Sequence, residues 1–368
     1  MEKLSEQEKD AKVNVFVKSS TIGSMGPAAV ASAPPAPVQR PSTQGMRHAG
    51  LAVFQQPWWL EIARRGEDYR ELHVHQDGIV AGSLGFVVAT NHVGNRLGFP
   101  PIWSHLGGPV VDQALDRSER SGLIRRLVAQ LPRNISFKFV CDPNASDADL
   151  ISHAFREVGF EHRTETTYVQ RAQDPDILSR LSSKHKGHLR RADRDLEVVQ
   201  LDADRFIKFY RSNLEAAGKQ SYASLENARD LIAIGQQDDA PRVRVFAARP
   251  RSAGSPWDAA IACAWDDQRY YLWMLTRRRL LGGLSNGDKP HGDAVKLLIF
   301  KATQHARSLN LAFDVDGATT EGAKNLYDDI LKFPLVESRD VFIRDTGFYK
   351  LYKHLQPALR AQIARLKP

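Results

Sequence analysis

The hydrophobic pattern begins late in this chain. Gly23 to Gly45 is built mostly from Ala, Pro, Ser and Gly, with almost nothing to bury. Such a stretch cannot offset the entropy cost of ordering, so residues 1–46 are expected to form a disordered tail. Beyond it, Trp58, Trp59, Ile62 and Ala63 fall on one helical face. Strand-like runs cover Arg70–Val74 and Ile79–Ala89, around a turn at Gln76, Asp77 and Gly78. Leu97–Trp103 is expected to be extended because of its prolines, with a turn over His105–Pro109. A helix is predicted over Ser118–Gln130 with Ser118 as its N-cap, then a buried strand over Ser136–Cys141. A helix over Asp147–Val158, stopped by Gly159, and a strand over Thr164–Gln170 follow.

A similar order then recurs. Leu178, Leu181, Leu189, Ala192 and Leu196 form the inner stripe of one predicted helix over Asp176–Leu196. Helices over Phe206–Glu215 and Leu225–Ile234 precede strands over Val243–Ala248, Ala259–Ala264 and Tyr270–Leu275. A helix over Ala294–Arg307, a strand over Ala312–Val315, a short helix over Lys324–Ile330, a strand over Val341–Arg344 and a basic helix over Phe348–Leu366 complete the pattern. This alternation predicts an α/β (α+β) chain of two similar domains, 47–172 and 173–368, with mixed central sheets flanked by helices.

Composition adds little that conflicts. The 368 residues are 42% hydrophobic and 26% charged, ordinary for a globular protein of this size. Two cysteines far apart imply no disulfide framework and no metal spacing, so no metal is expected, and a reducing cytoplasmic setting fits best. No apolar run approaches the roughly 20 residues needed to span a bilayer. A net charge of +8 favours anionic partners without choosing among them.

The chemistry concentrates between Ala259 and Gly317. A hairpin turning at Asp266–Gln268 leads into a Gly- and Arg-rich loop that opens into the helix beginning at Ala294. Free N–H groups and the dipole at such a helix start favour a phosphate. Arg277, Arg278, Arg279 and Lys289 would add positive charge. Asp293 at the helix entry is a good N-cap type but would repel a pyrophosphate.

Tyr270, Tyr271, Gly292, Ala294, Leu297, Leu298, Phe313, Asp314 and Gly317 form an ordered pattern. Gly98–Pro101 with Leu106–Gly107, and the basic stretch Ser183–Val198, lie upstream of it. Together they resemble the FemAB-like and BioF2-like acyltransferases of the GNAT superfamily over about residues 48–345. The resemblance implies tandem GNAT-like domains and transfer of an acyl or aminoacyl group to an amine. It places the donor, acyl-CoA, at Tyr271, Leu275, Thr276, Lys289, His291, Gly292, Asp293 and Ala294. No long inserted helical hairpin of the tRNA-dependent kind is seen, which favours a thioester over aminoacyl-tRNA. Lys324 and Tyr327 only roughly occupy a second family segment.

Asp314 or Asp316 would serve as general base, or as strand-end carboxylates holding the following loop. Trp103, His105, Lys184, Arg191, Lys324 and Tyr327 are the acceptor-side candidates. Tyr270 and Tyr271 point to opposite faces, so one is expected in the core and the other toward a cleft. The basic face from Arg180 to Arg194 reads first as a solvated surface, with phosphate or tRNA binding as its alternative. The C-terminal helix reads as a packed amphipathic helix; peripheral membrane contact is the lesser reading because its bases lack a strong apolar face. The acceptor is an anionic or amine-bearing small molecule, with cell-envelope and polysaccharide precursors in view. A scaffold that kept the fold and lost donor binding is the reading outside enzyme chemistry.

Overall fold

A computed structural model describes residues 50–91, 93–221, 223–237, 241–252, 254–279, 289–318 and 320–355. The expected tail at 1–46, most of the loop before Lys289, and the end of the C-terminal helix lie outside them. Contacts group the described chain into two units: Gly50–Arg65, which holds helix α1 (Pro57–Ala63), with Glu165–Arg339, and Gly66–Thr164 with the segment from Asp340 onward.

In the smaller unit, β1 (Tyr69–Gln76) and β2 (Ile79–Thr90) form a hairpin turned by Asp77 and Gly78, both at positive φ. Next, β3 (Arg96–Phe99) pairs antiparallel with β2 and parallel with β5 (Ser136–Cys141), and the short β4 (Val110–Val111) pairs with β2. The last strand, β12 (Leu335–Arg344), runs antiparallel to β5 through Asp340–Arg344. Leu123, Ile124, Leu127 and Val128 of α2 (Arg117–Ala129) and Ile151, Ala154 and Phe155 of α3 (Ala148–Glu157) are buried in this unit's core. The cap of α2 is Asp116, not Ser118: its carboxylate accepts the Glu119 N–H at 2.9 Å while Glu119 reaches back to the Asp116 N–H at 3.0 Å. That reciprocal pair satisfies two donors, whereas Ser118 has Ser121, not a glutamate, three residues on and lacks the return bond. The extended run expected through Trp103 stops at Phe99, where Pro100 and Pro101 cannot donate to a ladder.

In the larger unit the sheet order is β6 (Glu161–Gln170), β11 (Ala312–Asp314), β10 (Arg269–Arg277), β9 (Ala259–Trp265), β8 (Val243–Pro250), β7 (Leu196–Gln200). Every pair is antiparallel except β10 with β11. The helix expected over Asp176–Leu196 is two: α4 (Ile177–Arg180) and α5 (Ser183–Asp195). Leu181 is extended between them and Ser182 starts α5 afresh, accepting the His185 N–H at 3.4 Å. Leu196 belongs to β7, an edge strand absent from the sequence reading. The predicted stripe still holds, since Leu181, Leu189, Ala192 and Leu196 are all buried. Two further helices, α6 (Ala203–Ala216) and α7 (Leu225–Gly235), precede β8, and α8 (Ala294–Ser308) packs against β8 and β9. The helix expected at Lys324–Ile330 is α9 (Glu321–Lys324) continued as a π-helical turn over Asn325–Ile330.

Strand β9, AAIACAW, is buried at every position because both faces are covered. One face of β10 presents Tyr270 and Leu272 to the core that contains α8. The other presents Tyr271 and Trp273 to Phe54 and Trp59, with ring centroids 5.0 and 4.7 Å apart. Both tyrosines are therefore core residues, because the segment Gly50–Arg65 covers the second face. Asp266 fixes that cover: it closes the β9–β10 turn through the Gln268 and Arg269 N–H groups and accepts the Val53 N–H at 3.1 Å.

Candidate functional site

Strand β10 pairs with β11 only at Arg269, Tyr270 and Tyr271, yet runs on beside β9 to Arg277. The two parallel strands thus part company after three residues. A register shift between Leu272 and Met274 accompanies the divergence.

Where β10 ends, one carboxylate organises the chain. Asp258 is fully buried. Its Oδ1 accepts the Arg278 guanidinium at 2.8 Å, its Oδ2 accepts the His291 N–H at 3.0 Å, and its carbonyl accepts the Arg278 N–H at 2.8 Å. Asp258 therefore ties the exit of β10 to the approach to α8. Asn213 adds a second clamp: its amide donates to Thr276 Oγ1 at 3.0 Å and its Oδ1 accepts the Arg279 N–H at 3.0 Å. Sequence reasoning missed both residues. The available signal was a lone aspartate opening an otherwise unbroken apolar strand.

At the entry of α8, His291 Nδ1 accepts the Asp293 N–H at 3.2 Å. Gly292 is exposed, and a Cβ placed on it would meet no atom within 4 Å. The expectation for Asp293 is corrected. Its backbone, at φ −104 and ψ 8, is not the extended conformation a side-chain cap uses, and its carboxylate makes no cap hydrogen bond. It binds Lys296 Nζ at 2.5 Å instead, with His188 Nδ1 of α5 at 3.7 Å. Burial would raise its pKa, but the Lys296 hydrogen bond and the charges of Lys296, His188 and His291 outweigh this and lower it. The repulsive charge is thus matched by an adjacent cation. Lys289 is exposed, Ala294 and Thr276 are buried, and Leu275 is half-buried.

The strand-end carboxylates sit in a closed network. Asp314 is fully buried. Its Oδ1 accepts Thr167 Oγ1 and the Asp316 N–H, the latter at 2.7 Å. Its Oδ2 accepts Arg269 at 2.8 Å and Arg339 at 2.9 Å. Arg339 also binds Asp316, and Arg269 binds Glu337 at 3.0 Å. Asp316 and Gly317 are both left-handed, with φ 60 and 94, which turns the Asp316 N–H back onto Asp314. Burial would raise the Asp314 pKa, but Arg339, Arg269 and the Thr167 hydroxyl more than reverse it. A carboxylate with four donors and a lowered pKa is a poor proton acceptor.

The other candidates separate. Tyr271 is packed against Phe54, with Arg339 6.0 Å above its ring. Tyr327 is buried between Tyr168 and Phe333. Lys324 is exposed at the end of α9, and Lys184 and Arg191 are exposed on α5. Trp103, buried, and His105, half-buried, belong to the other unit. Among the described residues no group of three or more His, Cys, Asp or Glu could hold a metal ion, and no helix is long and apolar enough to cross a membrane.

No family model matches this sequence, and no curated protein does. Solved structures do match. A crystal structure of FemX aligns over 82% of this chain and 94% of its own, with TM-score 0.53 and 10% identity. The structure of L-PGS from Bacillus licheniformis covers 78% and 92% at TM-score 0.48 and 12% identity, and a tandem GNAT protein from the clavulanic acid biosynthesis pathway 77% and 86% at 0.44 and 10%. At such identities the likeness concerns the fold. The FemAB-like fold expected from the sequence is the fold found.

Proposed function

We propose that the chain is an acyltransferase that moves an acyl group from a CoA thioester to an amine. The observation that carries this reading is the Asp258 clamp, which brings the end of β10 and the start of α8 to one place. The donor's amide-bearing arm lies along β10 at Leu275 and Thr276, past the end of the β11 pairing, in the manner of an added strand. Its phosphates lie over Gly292 at the start of α8, where backbone N–H groups, Arg278 and Lys289 favour negative charge. The amine attacks the thioester carbonyl. A C–N bond forms, the C–S bond breaks, and the proton lost by the amine ends on the departing thiolate. Backbone N–H groups of β10 stabilise the oxyanion. Asp314 and Asp316 are assigned a positioning role: with Arg339 they hold the end of β11 beside β10. The FemX-like fold supports transfer of an acyl or aminoacyl group and does not choose between the donors.

The exposed bases of α5, Lys184, Arg190, Arg191 and Arg194, favour a second reading in which the donor is aminoacyl-tRNA. Thermal unfolding with CoA, acetyl-CoA and longer thioesters separates the two, since a ligand bound only by the native state raises its stability. A shift with thioesters that disappears in Gly292→Trp is expected. No shift with any thioester, together with salt-sensitive tRNA binding, would replace the first reading by the second.

A further inference from the structure

The segment after β12 forms a helix, α10, over residues 347–355. It is anchored firmly at its start. The Thr346 N–H donates to Ser136 Oγ at 3.0 Å, and Thr346 Oγ1 accepts the Tyr349 N–H at 3.3 Å as a cap. The side of α10 turned to the protein carries Tyr349, buried and stacked on Tyr352. Lys353 lies 4.5 Å above the Tyr349 ring and is ion-paired to Asp345 at 2.9 Å.

The opposite side is the unexpected one. Phe348, Leu351 and Leu355, spaced three and four residues apart, are 62%, 55% and 47% exposed. A helix that buries Tyr349 on one side and leaves three large apolar side chains exposed on the other carries an apolar patch in water, and such a patch marks an interaction surface. The helix is packed through Tyr349, as the sequence reading has it, but its bases are joined by an exposed apolar face that the sequence reading did not give it.

Charge selects the occupant. From Thr346 to Pro368 there are five basic residues, Lys350, Lys353, Arg360, Arg365 and Lys367, and no Asp or Glu. Lys350 and His354 are exposed on α10 itself. Two copies meeting through this face would bring like charges together, which is costly. An anionic bilayer surface accepts both features at once: aliphatic and aromatic side chains enter the headgroup boundary while the bases meet lipid phosphates. We propose that α10 docks the protein on a membrane surface rich in anionic phospholipid, through Phe348, Leu351 and Leu355. The apolar spacing continues in the sequence at Leu359, Ile363 and Leu366, which lie outside the described residues.

The test is co-sedimentation of the full chain with vesicles of phosphatidylcholine alone and of equimolar phosphatidylcholine and phosphatidylglycerol. Binding is expected to the anionic vesicles and to weaken as salt is raised. The triple variant Phe348→Ser, Leu351→Ser, Leu355→Ser is expected to lose about tenfold or more in affinity. Lys350→Glu is expected to lose several-fold, on the order of one surface charge contact. Thioester-dependent thermal stabilisation is unchanged in both variants, because α10 lies outside the donor site. Equal binding to both vesicle types, no binding to either, or a triple variant that still binds would overturn the proposal. So would a dimer in sedimentation equilibrium that the triple variant dissolves.

Discussion

The larger unit holds two carboxylate clusters of opposite character. At the end of β11, Asp314 is sealed from solvent and has four donors, two of them guanidinium groups. At the approach to α8, Asp258 is as deeply buried, but its partners, Arg278 and the His291 N–H, border the exposed Gly292 and Lys289. The first cluster is closed and spends its charge on holding strands. The second is open on one side and spends its charge on shaping a surface. A carboxylate near a presumed reaction centre is thus not thereby a base; what else it binds decides its role.

The largest effect should come from breaking the closed cluster. Arg339→Met takes a guanidinium from two buried carboxylates, and removal of one partner of a buried pair costs ~3 kcal/mol or more. Denaturant unfolding should show that loss directly. If stability is kept while turnover vanishes, the network is chemical and the two clusters do not differ in kind.

Next is Asp258→Asn. It loosens the clamp that holds Arg278 and the approach to α8 in one place, so donor affinity should fall about tenfold with ~1–2 kcal/mol of stability. Titration with CoA checks this, and an unchanged dissociation constant would detach Asp258 from the donor site.

Acid unfolding sharpens the comparison further. The Asp314 pKa is lowered in the folded protein, so the unfolded state binds the proton more readily. Its contribution is complete above the ordinary carboxylate value near ~4 and is lost as pH falls through the lower folded value. Asp314→Asn should therefore flatten the acid arm of stability against pH, around a lower plateau. Asp293→Asn, at a half-exposed site, should flatten it far less. Equal flattening would mean that the open cluster is as closed as the other.

The smallest effect is expected from Lys296→Gln. It leaves the Asp293 carboxylate unmatched at the helix start and should weaken CoA binding by about threefold, the scale of one charge at a helix terminus. Adding Asp293→Asn to it should restore binding; failure to do so would show that Lys296 contacts the donor itself.

Local pattern carried most of the fold. Strands such as β9 and β10 and helices such as α2 and α8 are fixed by period and by Gly, Pro and Asx punctuation, so they stand close to where the pattern predicts. The misses occur where two local readings compete. Leu196 and Val198 extend the stripe of α5 as readily as they start an edge strand, and only pairing with β8 made that segment β7. Ser182 and Leu181 look like helix interior until the core requires Leu181 to be extended.

Of the candidate site, the sequence determined the loop-to-helix element and its basic character, because those are properties of consecutive residues. It also determined that Asp314 and Asp316 share a strand end. What only the tertiary structure decided was how each charge is spent. Asp258 meets Arg278 and His291 across twenty and thirty-three positions, and Asp314 meets Arg269 and Arg339 across forty-five and twenty-five. Hydrogen bonds and desolvation depend on distance in space, which local pattern does not encode. The same reason hid the outward face of α10: spacing shows that Phe348, Leu351 and Leu355 share a side, and only the packed fold shows which side meets water.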